Sequence, residues 1–514
     1  MSALEEGKLL TLNDLMIRIS DYKKHKPNQS IDSMGMFFET SNNIYFFDTG
    51  TGKALRIDHD LHDFLSQLLY RDCDVEELEK TANQKGLNIS DILAYIEKED
   101  LFKGTTGEQL YNDEFLKKAK REIGSNCRQL ILELTGACNL RCKYCIYSSS
   151  EKGFREFNSK NMSKEIIKKS IDYLYDHGEE EVFVTFYGGE PLIKFELMKY
   201  AIEYAKERLA NRKLNFGFTT NLTLMNREIA AYLAQIPNLS IVCSIDGPED
   251  IHDTSRVYVD GGGTYKDAME GLRILKEELD KVDDPSVSIN FNAVFMVPYE
   301  KEKLYRIDEN FQKLCSITQN STYDITYPSS GTIPEELMEY ATEDTSMWEW
   351  MEEEAKKCDA IEMLKHKGVM DSLTIVHDRI LTEKAAPVIP MNACCVPGAR
   401  RLYIDTQGDM YVCERINKSP KIGNILNGID METIWTKYFY EYSERSIEHC
   451  ANCWSAKMCP VCYADRMTTD GIAENAHIHC EAFKEQLKRQ FSLYYEMLEE
   501  SPEKLKILND VITV

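Results

Sequence analysis

The stretch GACNLRCKYCIY, residues 136–147, sets cysteines at Cys138, Cys142 and Cys145. It follows directly on the apolar run QLILEL at 129–134, which reads as a strand. A motif on the loop leaving the C-terminal end of such a strand lies where active sites of β/α barrels form. A cubic iron–sulfur cluster has about four irons and ordinarily takes as many thiolates. Three thiolates hold three irons and leave the fourth open to another ligand. A structural zinc ion is the alternative. Zinc favours four closed ligands, whereas residues 128–160 supply three cysteines and no histidine.

Outward from this loop the chain alternates strand and helix. Apolar strands are readable at 181–186, 213–218, 239–245, 287–296 and, more weakly, 322–327, with helical patterns such as 195–209 and 264–279 between them. This alternation predicts parallel β/α units. Six units over about 200 residues make an open barrel, short of the roughly eight that close one. The expected fold class is therefore α/β, with a partial (β/α)6 barrel at 128–330. Residues 331–390 read as a helical bridging segment, 391–500 as a cysteine-rich domain and 501–514 as a tail.

Ahead of the barrel, residues 1–105 read as a winged-helix-like module and 106–127 as a linker with some helix in it. GMFFETSNNIYFFDTGTGKALRID reads as a β-hairpin, because aromatic and β-branched runs flank turn-forming residues. Three short helices follow. Leu61, Phe64, Leu65, Leu68 and Leu69 keep helical spacing; Asp74 caps the second helix; Ile89, Ile92, Leu93 and Ile96 make the apolar face of the third.

Composition narrows the functional classes. The 514-residue chain is 43% hydrophobic and 29% charged, as in ordinary globular proteins, and no apolar run approaches the roughly 20 residues of a bilayer span. No membrane helix is expected, and the acidic N-terminus lacks the features of a secretory signal, so a cytoplasmic location is expected. A formal charge of −25 and the lack of a basic stripe argue against nucleic acid as a partner. Sixteen cysteines in such a chain suit a reducing compartment and metal binding. Cys73, Cys127, Cys243, Cys315 and Cys358 stand apart from the clusters and read as buried apolar residues.

The three-cysteine motif resembles that of the radical S-adenosylmethionine (SAM) superfamily. By that resemblance the open iron is chelated by the methionine amino and carboxylate groups of SAM, and one-electron cleavage of the cofactor yields a 5′-deoxyadenosyl radical. YGGEPL (187–192) is similar to the superfamily's glycine-rich loop. There Gly188 and Gly189 permit close backbone approach, and the resemblance places Glu190 opposite the cofactor's ammonium. TTNLTL (219–224) ends the third strand, where Asn221 is either a ribose or carboxylate contact or part of a polar turn. SIDGPEDIHDTSR (244–256) resembles the peptide-modifying branch. The resemblance assigns Ser244 to the ribose and Arg256 to the methionine carboxylate, a task suited to a forked guanidinium. Adenine would be held by the backbone near Tyr144 and by the fifth strand near Val294. Asp246 reads as a turn cap, and His252 as a base or a hydrogen-bonding spacer.

The second cysteine group comprises Cys394 and Cys395, Cys413, Cys450, Cys453, Cys459, Cys462 and Cys480. Paired C-x2-C motifs alone would suggest zinc. The whole ensemble resembles the SPASM extension, which holds two auxiliary [4Fe–4S] clusters and brings the implied total to three. By resemblance, Cys450, Cys453, Cys459 and Cys480 form a fully ligated cluster. Cys395 or Cys394, with Cys413 and Cys462, holds an incomplete one, where a substrate thiolate would dock. Glu414 stands where related sulfatase maturases have an aspartate base, and reads either as such a base or as a surface residue.

Residues 33–102 resemble the precursor-peptide recognition element that enzymes crosslinking ribosomally made peptides often have, which captures the leader by strand addition; a DNA-binding winged helix is the alternative, opposed by the acidic helices. The resemblance as a whole is to SPASM-type radical SAM peptide maturases that form thioethers of the sactipeptide or ranthipeptide type. It implies a cysteine-containing precursor peptide as substrate and an electron donor such as flavodoxin or ferredoxin. A carbon–carbon crosslinking maturase, a sulfatase-type maturase and a zinc-stabilised peptide-binding scaffold are the rival readings.

Overall fold

The computed structural model describes residues 9–24, 34–71, 73–104, 110–148, 155–282, 286–319, 321–329, 331–340, 346–385, 395–416, 419–451 and 453–510. After a helix at Leu12–Lys24, which the sequence reading omitted, three antiparallel strands follow: β1 (Gly35–Glu39), β2 (Ile44–Asp48) and β3 (Ala54–Ile57). The sequence reading expected one hairpin. The second turn forms because the Asp48 carboxylate accepts hydrogen bonds from the backbone N–H and the hydroxyl of Thr51, both at 2.8 Å, returning the chain as β3. Helices His59–Tyr70, Val75–Gln84 and Ile89–Lys98 start at Asp58, Asp74 and Asn88, whose side chains cap free backbone N–H groups. Asp74 and Glu77 form a reciprocal capping box.

The small sheet is buried on both faces. Phe46 packs with Phe64, Leu68 and Phe102 in the module's own core. On the other face Phe38, Tyr45 and Phe47 meet Phe491 and Tyr495 of the helix Cys480–Glu500, with ring centroids 4.8–5.2 Å apart. Strand alternation thus joins the N-terminal module to the C-terminal end of the chain.

Among the described residues the main sheet has ten strands. β4 (Cys127–Thr135), β5 (Gly178–Gly188), β6 (Lys213–Thr220), β7 (Leu239–Ser244), β8 (Val287–Val294) and β9 (Tyr323–Thr326) are parallel and adjacent in chain order, as the strand readings anticipated. Residues such as Leu130, Leu132, Val184, Phe186 and Ile241 face the helices and are fully buried. The alternate residues Gln129, Thr185, Asn215, Asn290, Asn292 and Asp324 are half-buried and turn a polar wall to the other side.

The sheet does not stop at six strands. β10 (Arg401–Ile404) adds parallel to β4, with Leu402 opposite Leu130, and β11 (Asp409–Tyr411), β12 (Gly423–Asn424) and β13 (Gly428–Ile429) continue it antiparallel. The cysteine-rich region is therefore hydrogen-bonded to the barrel strand that precedes the first cysteine loop. The linker reading at 106–127 covers a packed helix, Asp113–Glu122, and Tyr111 before it stacks on Phe115 at 5.0 Å. The tail reading at 501–514 is corrected in part: a short helix at Lys504–Asp510 buries Leu505 and Leu508. Cys127, Cys243, Cys315 and Cys358 are buried as expected, whereas Cys73 is half-buried. No helix among the described residues is long and apolar enough to cross a membrane.

Candidate active site

The loop bearing Cys138, Cys142 and Cys145 leaves the C-terminal end of β4 and is fastened to three neighbouring loops. After β5, the N–H of Gly189 donates to the carbonyl of Thr135 (3.0 Å) and that of Glu190 to the carbonyl of Ala137 (2.9 Å). Gly188 has φ +138°, a conformation that favours glycine, and a Cβ on Gly189 would lie 2.2 Å from the Ala137 oxygen. The close backbone approach is thus to the cysteine loop itself. After β6, the amide of Asn139 donates to Thr223 Oγ1 (2.8 Å), and the amide of Asn221 donates to Asn139 Oδ1 (3.1 Å). After β7, the N–H groups of Arg141 and Lys143 donate to the carbonyls of Val257 and Ser255.

A buried polar network backs the loop. Asp246 is 1% exposed, and its carboxylate reaches across to other loops: it accepts from the Tyr144 hydroxyl and from the N–H of Val294 (3.1 Å) and pairs with Arg256 Nε at 3.1 Å. Arg256 Nη1 lies 3.9 Å from Cys142 Sγ. The residue assigned to the cofactor carboxylate is therefore already anchored between a carboxylate and a candidate cluster thiol. His252 accepts the Asp246 N–H on Nδ1 (3.2 Å), and its Nε2 meets Thr264 Oγ1 at 3.0 Å, a spacer geometry; burial and then the Arg256 charge lower its pKa to about 4. Glu190 is 1% exposed and accepts from Leu192 N, Thr220 Oγ1 and Asn221 N. Burial outweighs those bonds and raises its pKa to about 7. Ser244, at the end of β7, is buried at the same end of the barrel.

The loop offers three thiols within electrostatic reach of one another and no histidine between 136 and 148, a donor set suited to three irons of a cluster. Burial raises the pKa of Cys138 to about 12 and of Cys142 to about 11, so metal binding has to displace thiol protons.

The remaining cysteines fall into two neighbourhoods. Cys450, Cys459 and Cys480 lie around the buried Arg466, with Cys453 beside these three, and the guanidinium donates toward Cys480 Sγ at 3.6 Å and Cys450 Sγ at 3.9 Å. Cys462 instead neighbours Cys395 and Cys413. Cys394 lies outside the described residues. Glu414 has its carbonyl on Arg155 and its carboxylate 3.6 Å from Arg401, with Oε2 buried and without a hydrogen-bond partner among the described residues. Arg155 stacks over the Tyr403 ring at 4.3 Å and over Tyr187 at 5.9 Å, and the Tyr147 hydroxyl donates to Glu133 at 2.5 Å. These side chains form a buried polar bed between β4, β5 and β10. Sequence reasoning missed Asn139, Arg155 and Arg466. Their one signal is a polar or cationic residue set between or beside motif cysteines.

Comparison with known proteins follows this geometry. Residues 132–340 match the Radical SAM superfamily and residues 394–454 match SPASM, an iron-sulfur cluster-binding domain. The two matches follow one another along the chain, and SAM and iron–sulfur clusters are the cofactors that such domains use. The radical SAM cyclopropyl synthase TigE of Paramaledivibacter caminithermalis is 29% identical over 34% of this chain and 39% of its own length. The serine-type anaerobic sulfatase-maturating enzyme of Bacteroides thetaiotaomicron is 28% identical over 33% of this chain and 41% of its own length. The chain therefore spans about two fifths of these relatives' length. Among solved structures, native anSMEcpe with bound AdoMet and Cp18Cys peptide shares the fold, with a TM-score of 0.54 and 18% identity, covering 75% of this chain and 100% of that one.

Proposed function

We propose that this protein is a SPASM-type radical SAM maturase that forms thioether links between a cysteine sulfur and an acceptor carbon in a ribosomally made precursor peptide. The observation that carries this reading is the separation of the clustered cysteines into one trio at the barrel mouth, one quartet around Arg466, and a second trio at Cys395, Cys413 and Cys462 next to Glu414. A trio leaves an iron able to accept a further ligand, SAM in the first case and a substrate thiolate in the last.

When bound, the first cluster and SAM supply a carbon-centred radical able to take a hydrogen atom from the acceptor residue. The chain's own residues bind and orient. Glu190 Oε2, which accepts one bond from Asn221 N, has capacity for the cofactor's ammonium. Arg256, held by Asp246, presents its guanidinium to the carboxylate. Asn221 and Ser244 serve the ribose, and the backbone at Tyr144 and Val294 the adenine. Glu414 takes the proton released as the substrate sulfur is engaged. The leader adds as a strand to β3, the edge that faces away from β1 and the C-terminal helix and whose residues are half-buried or exposed. Reduced flavodoxin or ferredoxin provides electrons.

Anaerobic incubation with a cysteine-containing precursor peptide tests the reading. It predicts 5′-deoxyadenosine, loss of a hydrogen pair from the peptide, and roughly 12 irons per chain. The sulfatase-type reading, favoured by the name of the Bacteroides relative, predicts instead oxidation of a cysteine or serine with no new link. Hydrogen loss that persists after every substrate cysteine is replaced points to carbon–carbon crosslinking.

A further inference from the structure

Outside the clustered cysteines, one set of side chains has ligand chemistry that no step above uses. Glu354 and Cys358 lie one turn apart at the end of the helix Ser346–Lys357, and His366 precedes the helix Lys367–His377. All three are buried, at 1%, 5% and 4% exposure. Cys358 Sγ is 3.3 Å from Glu354 Oε2 and 3.8 Å from His366 Nε2, and the latter two atoms are 4.0 Å apart.

We propose that Glu354, Cys358 and His366 form a mononuclear zinc site, distinct from the iron–sulfur clusters, that fastens the bridging helices to the last strand of the barrel. A tetrahedral zinc with Zn–S of about 2.3 Å and Zn–N or Zn–O of about 2.0–2.1 Å sets its ligand atoms about 3.3–3.6 Å apart. Closing these three atoms onto an ion therefore moves no pair by more than about 0.7 Å. Among the described residues this is the one group of three such side chains tight enough for a single ion.

The surroundings prepare the histidine as a ligand. The Tyr323 hydroxyl donates to the Asp308 carboxylate and lies against the His366 ring, 2.9 Å from Nδ1 and 3.5 Å from Nε2. Asp308 itself is 3.7 Å from Nδ1, while Nε2 is the ring nitrogen set toward Cys358 Sγ and Glu354 Oε2. A carboxylate beside the non-ligating nitrogen is the usual second-shell partner of a metal-binding histidine. Gln312 holds the other Asp308 oxygen at 2.8 Å, and Lys357 lies 3.2 Å from the second oxygen of Glu354. Charge also balances. On binding, the Cys358 thiol proton leaves to solvent, and thiolate plus carboxylate neutralise the dication in an apolar setting. Asp308 comes from the helix Lys301–Thr318 and Tyr323 from β9, so the site ties four elements together.

The test uses the full chain with its clusters reconstituted, then given zinc(II) and desalted. About one zinc per chain is expected, with an X-ray absorption spectrum fitted by one sulfur near 2.3 Å and nitrogen or oxygen ligands near 2.0 Å. In C358S and H366A zinc falls at least about tenfold, while iron content and SAM cleavage without peptide stay at the wild-type level. Absence of zinc from the wild-type protein overturns the proposal. So does a spectrum with several sulfur ligands, which places the ion at cluster cysteines, and so does full zinc retention in H366A. The wild-type spectrum decides the matter even if a variant fails to fold.

Discussion

Asp246 and Arg256 form a buried ion pair at 3.1 Å, and the same carboxylate receives the Tyr144 hydroxyl and the Val294 N–H. One carboxylate thus ties the first cysteine loop, the loop after β7 and the end of β8 together. Removing one partner of a buried pair leaves an uncompensated charge, which costs about 3–5 kcal/mol. D246N should lower the denaturant midpoint more than the double variant D246N/R256M, with a coupling of at least about 1 kcal/mol. Additive losses would show that the pair acts as two independent groups.

Gly189 has no room for a methyl group, since its Cβ would sit 2.2 Å from the Ala137 carbonyl oxygen. G189A should push the cysteine loop away from the β5 loop and cost about four irons per chain. Gly217 is the control, because a Cβ there meets nothing nearer than 3.6 Å. Iron and sulfide analysis of both variants should separate them; equal iron in G189A and wild type would mean the loop tolerates the shift.

Arg466 places a guanidinium 3.6 Å from Cys480 Sγ and 3.9 Å from Cys450 Sγ. A cation beside thiolates favours the more negative, reduced form of whatever they bind. R466M should therefore lower one auxiliary midpoint potential by tens of millivolts, about 59 mV corresponding to 1.4 kcal/mol for one electron. Electron paramagnetic resonance during a redox titration reads this directly. An unmoved potential would assign Arg466 to packing against Tyr442 alone.

His252 stays neutral when folded because burial and the nearby Arg256 lower its pKa to about 4, against an ordinary value of 6.5. Above pH 6.5 it is neutral in both states and affects nothing. As pH falls from 6.5 toward 4 the unfolded chain takes up a proton that the folded chain refuses, so stability declines by about 3 kcal/mol. H252N keeps an acceptor for the Asp246 N–H and should lack this part of the acid loss. Parallel pH curves for the two proteins would remove His252 from the account.

Much of this protein was readable from local pattern. Each of the six parallel strands is a short apolar run whose identity depends on its own residues, and the cysteine motif declares itself because its members lie within one loop. The caps at Asp58, Asp74 and Asn88 are equally local. What only the tertiary structure decided are relations between residues far apart in the chain. β10 pairs with β4 across more than two hundred residues of sequence. Phe38 meets Phe491 across a still longer separation. The approach of Arg466 to Cys480 and Cys450, and the meeting of Glu354, Cys358 and His366 with Tyr323, likewise depend on distant contacts. Strand runs and caps are set by neighbours a few residues away, so sequence order records them. Sheet edges and ligand sets are fixed by which surfaces bury one another, and linear order does not contain that information.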